Sequence, residues 1–288
     1  MNNKTIRLPA PAKLNLMLRI VGRRSDGYHL LQTVFQFVEL CDWVTLRVQD
    51  DDAVRLANPL PGVPEETDLT VRAAMALKTY VNNSELGARI SVEKNLPMGG
   101  GLGGGSSDAA TVLVGLNALW NLNLSQDEFA SIGLKLGADV PVFVRGQAAW
   151  AEGVGEHLTT MTDLPEPWYA IVVPNCHVAT AAVFNSPDLT RNSKPMTMRD
   201  FLLGDRLNDC LPVVLKLYPE IADAMQELAK HSPEPRLTGT GACIFAEFEN
   251  KSAASAAADN LSERGLKVFV SKGVNQSALH RTLISGMD

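Results

Sequence analysis

The chain has 288 residues, 45% hydrophobic and 20% charged, which suits about two ordinary domains with buried cores and excludes a disordered chain. A net charge of −6 argues against a duplex nucleic-acid binder, which needs a basic face, so no nucleic-acid partner is expected. No apolar run approaches the roughly 18 residues of a membrane span, and the N-terminus lacks a signal-peptide core, so no membrane partner is expected either. The four cysteines, Cys41, Cys176, Cys210 and Cys243, form no C-x-x-C pair and read as buried thiols of a cytoplasmic protein.

From the N-terminus, Leu14–Val21 alternates as a strand. Lys13 and Asn15, in Pro11-Ala12-Lys13-Leu14-Asn15-Leu16, are two apart and face one side, while Leu14 and Leu16 face the other. Further strands are predicted over 32–40 and 43–48. The polar turn between the first two carries Tyr28-His29, which reads as a turn anchored by an aromatic or as an aromatic face and a polar edge for a base. Residues 58–64 read as a loop. A helix follows from Asp68, with Leu69, Ala73, Ala76, Leu77 and Tyr80 on one face.

After a strand at Ile90-Ser91-Val92 comes Pro97-Met98-Gly99-Gly100-Gly101-Leu102-Gly103-Gly104-Gly105-Ser106-Ser107-Asp108, with six glycines in the seven residues from Gly99 to Gly105. Glycine loses more backbone entropy on folding than any other residue, so the run must exploit positive φ angles and close approach of backbone to a ligand. The apolar stretch from Ala109 reads as a buried helix. A glycine loop that empties into a helix N-terminus collects unpaired N–H groups at the positive end of the helix, which makes it an anion site. A flexible Gly/Ser linker is the alternative, and the apolar flanks disfavour it. No lysine follows the last glycine as a P-loop requires. No strand ending in Asp or Glu follows the helix as a dinucleotide fold requires.

Ser125-Gln126-Asp127-Glu128 is a capping box opening a helix that stops near Gly137. In Gly137-Ala138-Asp139-Val140-Pro141-Val142-Phe143 the carboxylate either caps the turn that Pro141 opens or serves chemistry, and the two roles are compatible. Strands are predicted at 148–150 and 168–173, with Asp163–Pro167 between them as the linker. Two helices, around 211–217 and 221–228, separate near Pro219. The small-residue loop Thr238-Gly239-Thr240-Gly241-Ala242-Cys243 leads into a strand over 243–248. A helix over 252–261 and a strand over 266–270 complete an α+β order in both halves, divided as 1–163 and 164–288.

The whole glycine run resembles the P-x-x-x-G-L-G-S/G-S-S motif of the GHMP kinases, and the resemblance covers nearly the full chain. It implies a two-domain α+β fold, with a ribosomal-S5-like N-terminal domain and a ferredoxin-like C-terminal domain. It implies ATP, bound by Pro97, Met98, Gly99, Gly100, Gly101, Leu102, Gly103, Gly104, Gly105, Ser106 and Ser107, and Mg²⁺, with Ser106 and Ser107 as possible ligands. It implies Asp139 and Lys13 as the catalytic pair. A lysine about 4 Å from a carboxylate gains roughly 4 kcal/mol of Coulomb attraction at an effective dielectric near 20. Aspartate is a weak base for an alcohol, so positioning and charge stabilisation are expected to outweigh proton removal. Gly239, Thr240 and Gly241 match the third motif of the family, which approaches the phosphates or the acceptor.

Within the family, the segment Arg23-Arg24-Ser25-Asp26-Gly27-Tyr28-His29 resembles the branch that phosphorylates the 2-hydroxyl of a cytidine-diphosphate-linked methylerythritol in non-mevalonate isoprenoid synthesis. That resemblance implies Tyr28 stacked on cytosine, His29 reading its edge, Phe184 as a second aromatic slice, and Asn15 and Thr180 as further substrate contacts. The chain departs from the pattern at Ala181-Ala182, where a proline is expected. Homoserine and phosphomevalonate kinases share the loop but have no use for Tyr28-His29. A nucleotide-binding regulator would share the loop, but intact Lys13 and Asp139 point to chemistry. Monomer and homodimer both fit.

Overall fold

The computed structural model describes residues 4–59 and 62–285, so Leu60 and Pro61 of the predicted 58–64 loop lie outside the described residues. The chain opens with a long antiparallel hairpin, β1 (Thr5–Arg23) and β2 (His29–Gln49). The first strand starts nine residues earlier than predicted, counting from Thr5 to Leu14, because Pro9 and Pro11 disguise it. Register shifts between Pro11 and Lys13 and between Asn15 and Met17 accommodate the irregularity. The two strands predicted over 32–40 and 43–48 are one. Asp42 looks like a polar break, but its carboxylate is fully buried and accepts the N–H groups of Asn95 at 2.6 Å and Leu96 at 2.8 Å. Its polarity serves the neighbouring segment and leaves the strand intact.

β3 (Val54–Leu56) and a 3₁₀ turn at Glu65–Thr67 lead to α1 (Leu69–Tyr80), capped by Asp68, which accepts from Thr70 N at 2.8 Å. β4 (Gly87–Glu93) precedes the glycine run. The helix expected from Ala109 begins earlier, as α2 (Gly104–Trp120), so the last two glycines belong to its first turn. α3 (Gln126–Leu134) carries the predicted Ser125–Glu128 capping box. A short helix without sequence periodicity, α4 (Val140–Arg145), follows Asp139, and then β5 (Ala149–Glu152) and β6 (His157–Thr160).

The second half runs β7 (Trp168–Val173), α5 (Thr180–Asn185), α6 (Met198–Leu202), α7 (Leu211–Leu217), α8 (Pro219–Ala229), β8 (Arg236–Leu237), β9 (Ile244–Phe248), α9 (Lys251–Glu263), β10 (Lys267–Val274) and α10 (Ala278–Ser285). α5, α6 and α10 are too short for a periodic signal and were not legible in the sequence.

Among the described residues the strands form one sheet in the order β3-β4-β2-β10-β7-β9-β8, with β1 on β2 and β5 joining β2 to β6. β10 connects the halves: it pairs with β7 over Lys267–Lys272 and with β2 at Gly273 and Val274. The predicted linker is packed, with Leu164 buried and the Pro165 carbonyl accepting from Gln36 Nε2 at 2.8 Å. In the first half, Phe35, Phe37, Leu46 and Ile90 pack against Leu77, Leu113, Leu116, Ile132 and Phe143 of the helices. α2 is apolar on nearly every side, with Ala109, Ala110, Val112, Leu113 and Leu116 fully buried, so its N-terminus is held rigidly. In the second half, Val172, Ile244 and Ala246 pack against Val183, Val214, Ile221, Leu228 and Leu261. Leu14, Met17, Val34 and Trp150 meet Tyr169, Ile171 and Phe245 between them.

Candidate active site

A cavity of about 980 Å³ is lined by residues of both halves. It brings together Lys13, Asn15, Tyr28, His29, Pro97 to Ser106, Asp139, Thr180, Phe184, Gly239 and Thr240. Two residues expected in the site do not line it. Ser107 is fully buried behind the first turn of α2. Gly241 faces inward, where a Cβ would stand 3.1 Å from Leu237 Cδ1 and 3.6 Å from Val178 Cγ2.

The glycine loop is bound by its carbonyl groups. Those of Gly99 and Gly100 accept from Ala242 N and Cys243 N at 3.3 and 3.1 Å, and that of Leu102 accepts from Lys13 N at 3.0 Å. Gly101 O accepts from Lys13 Nζ at 3.0 Å and Thr238 Oγ1 at 3.2 Å. The first intrahelical bond of α2 runs from Ser107 N to Gly103 O at 2.8 Å, so the N–H groups of Gly104, Gly105 and Ser106 have no acceptor within the helix. Three free N–H donors at the positive end of a buried helix form a phosphate cradle.

Gly101 and Gly103 sit at φ +76° and +74°, where a side chain is strained. A Cβ on Gly103 would lie 2.7 Å from Phe143 Cζ and 3.1 Å from Lys13 Cε. Gly103→Ala is therefore expected to cost about 1–3 kcal/mol of stability and to raise the KM for ATP at least tenfold, as read by thermal melts and initial rates. An unchanged KM would mean that the loop does not hold the nucleotide.

Lys13 is only 3% exposed, and each of its three protons has a partner. Its Nζ donates to Asn15 Oδ1 at 2.6 Å and Gly101 O at 3.0 Å, and it pairs with Asp139 Oδ2 at 3.2 Å. Asn15 Nδ2 donates to Thr33 Oγ1 at 2.9 Å, which donates to Met17 O at 2.6 Å. The expectation that Lys13 and Asn15 share a face holds, and the Asn15 amide serves mainly to aim the lysine. Asp139 precedes α4, but its side chain makes no capping bond, so the cap reading is corrected: the carboxylate turns to Lys13. Ser106 Oγ lies 3.6 Å from where a Gly137 Cβ would be, which places the first turn of α2 against the Asp139 turn.

At the other end of the cavity, Tyr28 is 62% exposed. The sequence pairs Phe184 with Tyr28 around a base. Both line the cavity, and Phe184 stacks on His29, with ring centroids 4.9 Å apart and planes at 23°. Burial, then the charges of Arg191 and Arg23, lowers the His29 pKa. Thr180 and Thr240 meet through their hydroxyl oxygens at 3.1 Å, and a Cβ on Gly239 would stand 3.3 Å from Asn15 Oδ1.

Several lining residues escaped the sequence reading. Lys94 lines the cavity beside the loop, pairs with Asp108 Oδ2 at 2.8 Å and also bonds Asp42. A lysine five residues before the first glycine was the available signal, but its partners are Asp42 on the distant strand β2 and Asp108 inside α2. Burial, set against the pull of Lys94 and reinforced by Asp42, pushes the Asp108 carboxyl up to about 7. Burial works against the Lys94 charge, yet Asp108 and then Asp42 outweigh it and raise the Lys94 pKa.

A carboxyl whose folded pKa lies above its unfolded value of about 4 keeps a proton in the folded chain that it loses in the unfolded one. Its contribution to stability therefore falls as pH rises from about 4 to 7. Asp108→Asn leaves Lys94 paired with Asp42. It is expected to raise Tm by about 2–4 °C at pH 8 and to change it little at pH 4. A lower Tm at pH 8 would contradict this account of the cluster.

Among the described residues no group of three or more His, Cys, Asp or Glu could hold a metal ion by itself. Ser107 Oγ and Asp108 Oδ1 are buried without a hydrogen-bond partner. Among the described residues no helix is long and apolar enough to cross a membrane.

Comparison with known proteins places this geometry in context. Residues 68–147 match the family described as GHMP kinases N terminal domain, and residues 184–267 match GHMP kinases C terminal. The chain is 55% identical over 283 residues to the 4-diphosphocytidyl-2-C-methyl-D-erythritol kinase of Methylococcus capsulatus, covering 98% of this chain and 96% of that protein. A crystal structure of 4-(cytidine 5'-diphospho)-2C-methyl-D-erythritol kinase superposes with a TM-score of 0.81 at 29% identity, over 93% of this chain and 99% of the other. A mevalonate kinase crystal structure shares the fold, with a TM-score of 0.69 at 14% identity over 94% of this chain and all of that one (100%).

Proposed function

The chain belongs to the GHMP kinases, with their two-domain α+β fold, and we propose that it is the ATP-dependent kinase that phosphorylates the 2-hydroxyl of 4-diphosphocytidyl-2-C-methyl-D-erythritol, a step of non-mevalonate isoprenoid synthesis. One observation carries the chemical reading. The Lys13–Asp139 pair, 3.2 Å apart, shares one cavity with the open N-terminus of α2.

In this reading the ATP phosphates sit on the N–H groups of Gly104, Gly105 and Ser106, and the acceptor hydroxyl sits against Asp139. The hydroxyl oxygen forms a bond to the γ-phosphorus as the bond from that phosphorus to the β–γ bridging oxygen breaks, and ADP leaves. The hydroxyl proton passes to Asp139. Lys13 faces the charge that develops on the transferring group, and Asn15 and Gly101 O hold its ammonium in place. Catalysis of this kind is mostly positioning and electrostatic stabilisation. Tyr28, His29, Phe184 and Thr180 would receive the cytidine end, with Gly239 and Thr240 beside the acceptor.

The donor set fits Mg²⁺, which takes oxygen ligands and binds through a few protein groups plus phosphates. The Ser106 hydroxyl lines the cavity, and the adjacent Ser107 Oγ is buried without a hydrogen-bond partner, so these two hydroxyls would hold the ion. The ion, if bound there with ATP, would offset the negative charge of the phosphates during transfer.

An ADP-release assay over an acceptor panel tests the reading. Turnover with the cytidine-linked acceptor should exceed that with homoserine or mevalonate by orders of magnitude. Equal or faster turnover with either of those would overturn the assignment.

A further inference from the structure

Arg191 belongs to no sequence motif and does not line the cavity, yet it joins the two aromatic elements at its acceptor end. Its Nε donates to His29 Nε2 at 3.2 Å. Nη1 donates to Leu189 O at 3.1 Å, and Nη2 donates to Phe184 O and Ser186 O at 2.8 Å each. The carbonyls at the end of α5 lack helical partners, and the guanidinium supplies them. One side chain thus fixes both His29 and the turn that carries Phe184, whose ring stacks on His29.

A guanidinium is always protonated and has no acceptor. A ring nitrogen that receives its N–H must offer a lone pair, so His29 Nε2 carries no proton. The neutral ring then has its hydrogen on Nδ1. An imidazolium would set N–H against N–H, and the lowered pKa of His29, from burial first and the Arg191 charge second, agrees.

We propose that Arg191 is a positioning residue for base selection: by donating to His29 Nε2 it holds the imidazole as an Nδ1–H donor, which favours cytosine over uracil in the acceptor. The two bases differ at N3, a lone pair in cytosine and an N–H in uracil. An Nδ1–H donor matches the first and opposes the second. A donor facing a donor leaves both groups unpaired, the situation in which polar sites discriminate most strongly. The inference rests on the cytidine-linked acceptor proposed above.

The test uses the full chain labelled with ¹⁵N-histidine. Long-range ¹H–¹⁵N spectra report which ring nitrogen of His29 bears the proton, with assignment by His29→Gln. Rates with the cytidine acceptor and its uridine analogue report selection. The wild type should show the Nδ1–H form. Arg191→Met should bring in the Nε2–H form and lower the cytidine-to-uridine ratio of kcat/KM at least tenfold, through KM for the cytidine acceptor more than kcat. Arg191→Lys, which keeps a donor, should restore much of both signals and so separates tautomer control from loss of folding.

An Nε2–H ring in the wild type overturns the inference. So does an Arg191→Met enzyme that keeps the tautomer and the base preference. A wild type that turns over neither acceptor would instead strike the proposed function, and the spectra would still judge the hold of Arg191 on His29.

Discussion

Asp139→Asn is expected to lower kcat by roughly 10²–10⁴-fold, the range of a lost general base, while ATP binds within a few-fold of the wild type. The substitution keeps the shape of the side chain and removes its charge and basicity. The nucleotide cradle, formed by the first turn of α2 and the loop carbonyl bonds, does not involve Asp139, so calorimetric ATP affinity should hold. The asparagine amide would also set a neutral group against the Lys13 ammonium, 3.2 Å from the present carboxylate oxygen. That leaves the lysine without its counter-charge and the acceptor hydroxyl without a proton acceptor. A near-normal kcat would remove Asp139 from the chemistry.

Lys13→Met is expected to damage the enzyme in two ways at once. Asn15 Oδ1 and Gly101 O each lose a charged donor at a buried site, and Asp139 loses its partner. Leaving buried polar groups unpaired costs about 1–3 kcal/mol apiece, so a stability loss of roughly 3 kcal/mol is expected by denaturant unfolding. The kcat should fall by two or more orders of magnitude, because the charge facing the transferring group is gone. Lys13→Arg should not restore the rate. Even a methyl on Gly103 would come within 3.1 Å of Lys13 Cε, so the larger guanidinium has no room beside the loop. A Lys13→Met protein that is as stable as the wild type and merely slower would show that the network around Lys13 is not structural.

Much of the site was legible because its signals are local. The glycine run needs positive φ and free N–H groups, and both requirements are written in consecutive residues. Lys13 and Asn15 could be placed on one face because strand geometry has a period of two. Asp139 could be singled out, but sequence alone left it between a cap and a catalyst, since what decides is a lysine 126 positions away by numbering from 13 to 139. The long β2 was misread as two strands because Asp42 breaks the apolar pattern, and only the backbone of Asn95 and Leu96 explains a carboxylate there. The Lys94–Asp108–Asp42 cluster and the grip of Arg191 on His29 were not legible for the same reason. Their partners are brought together by the fold over long sequence separations, and no spacing rule reaches across them. Phe184 could be picked out as an aromatic of the site, but its stacking on His29 and the bond from Arg191 to its carbonyl depend on contacts that the fold brings together.

The central claim is that this cavity transfers a phosphoryl group to the 2-hydroxyl of the cytidine-linked methylerythritol. The most direct measurement is the ³¹P spectrum of the product formed with stoichiometric ADP. The 2-carbon carries a methyl group and no hydrogen, so the account predicts one new phosphomonoester resonance without splitting by a carbinol proton, beside an unaltered diphosphate. A new resonance split by a carbinol proton, or ADP formed with inorganic phosphate alone, would contradict it.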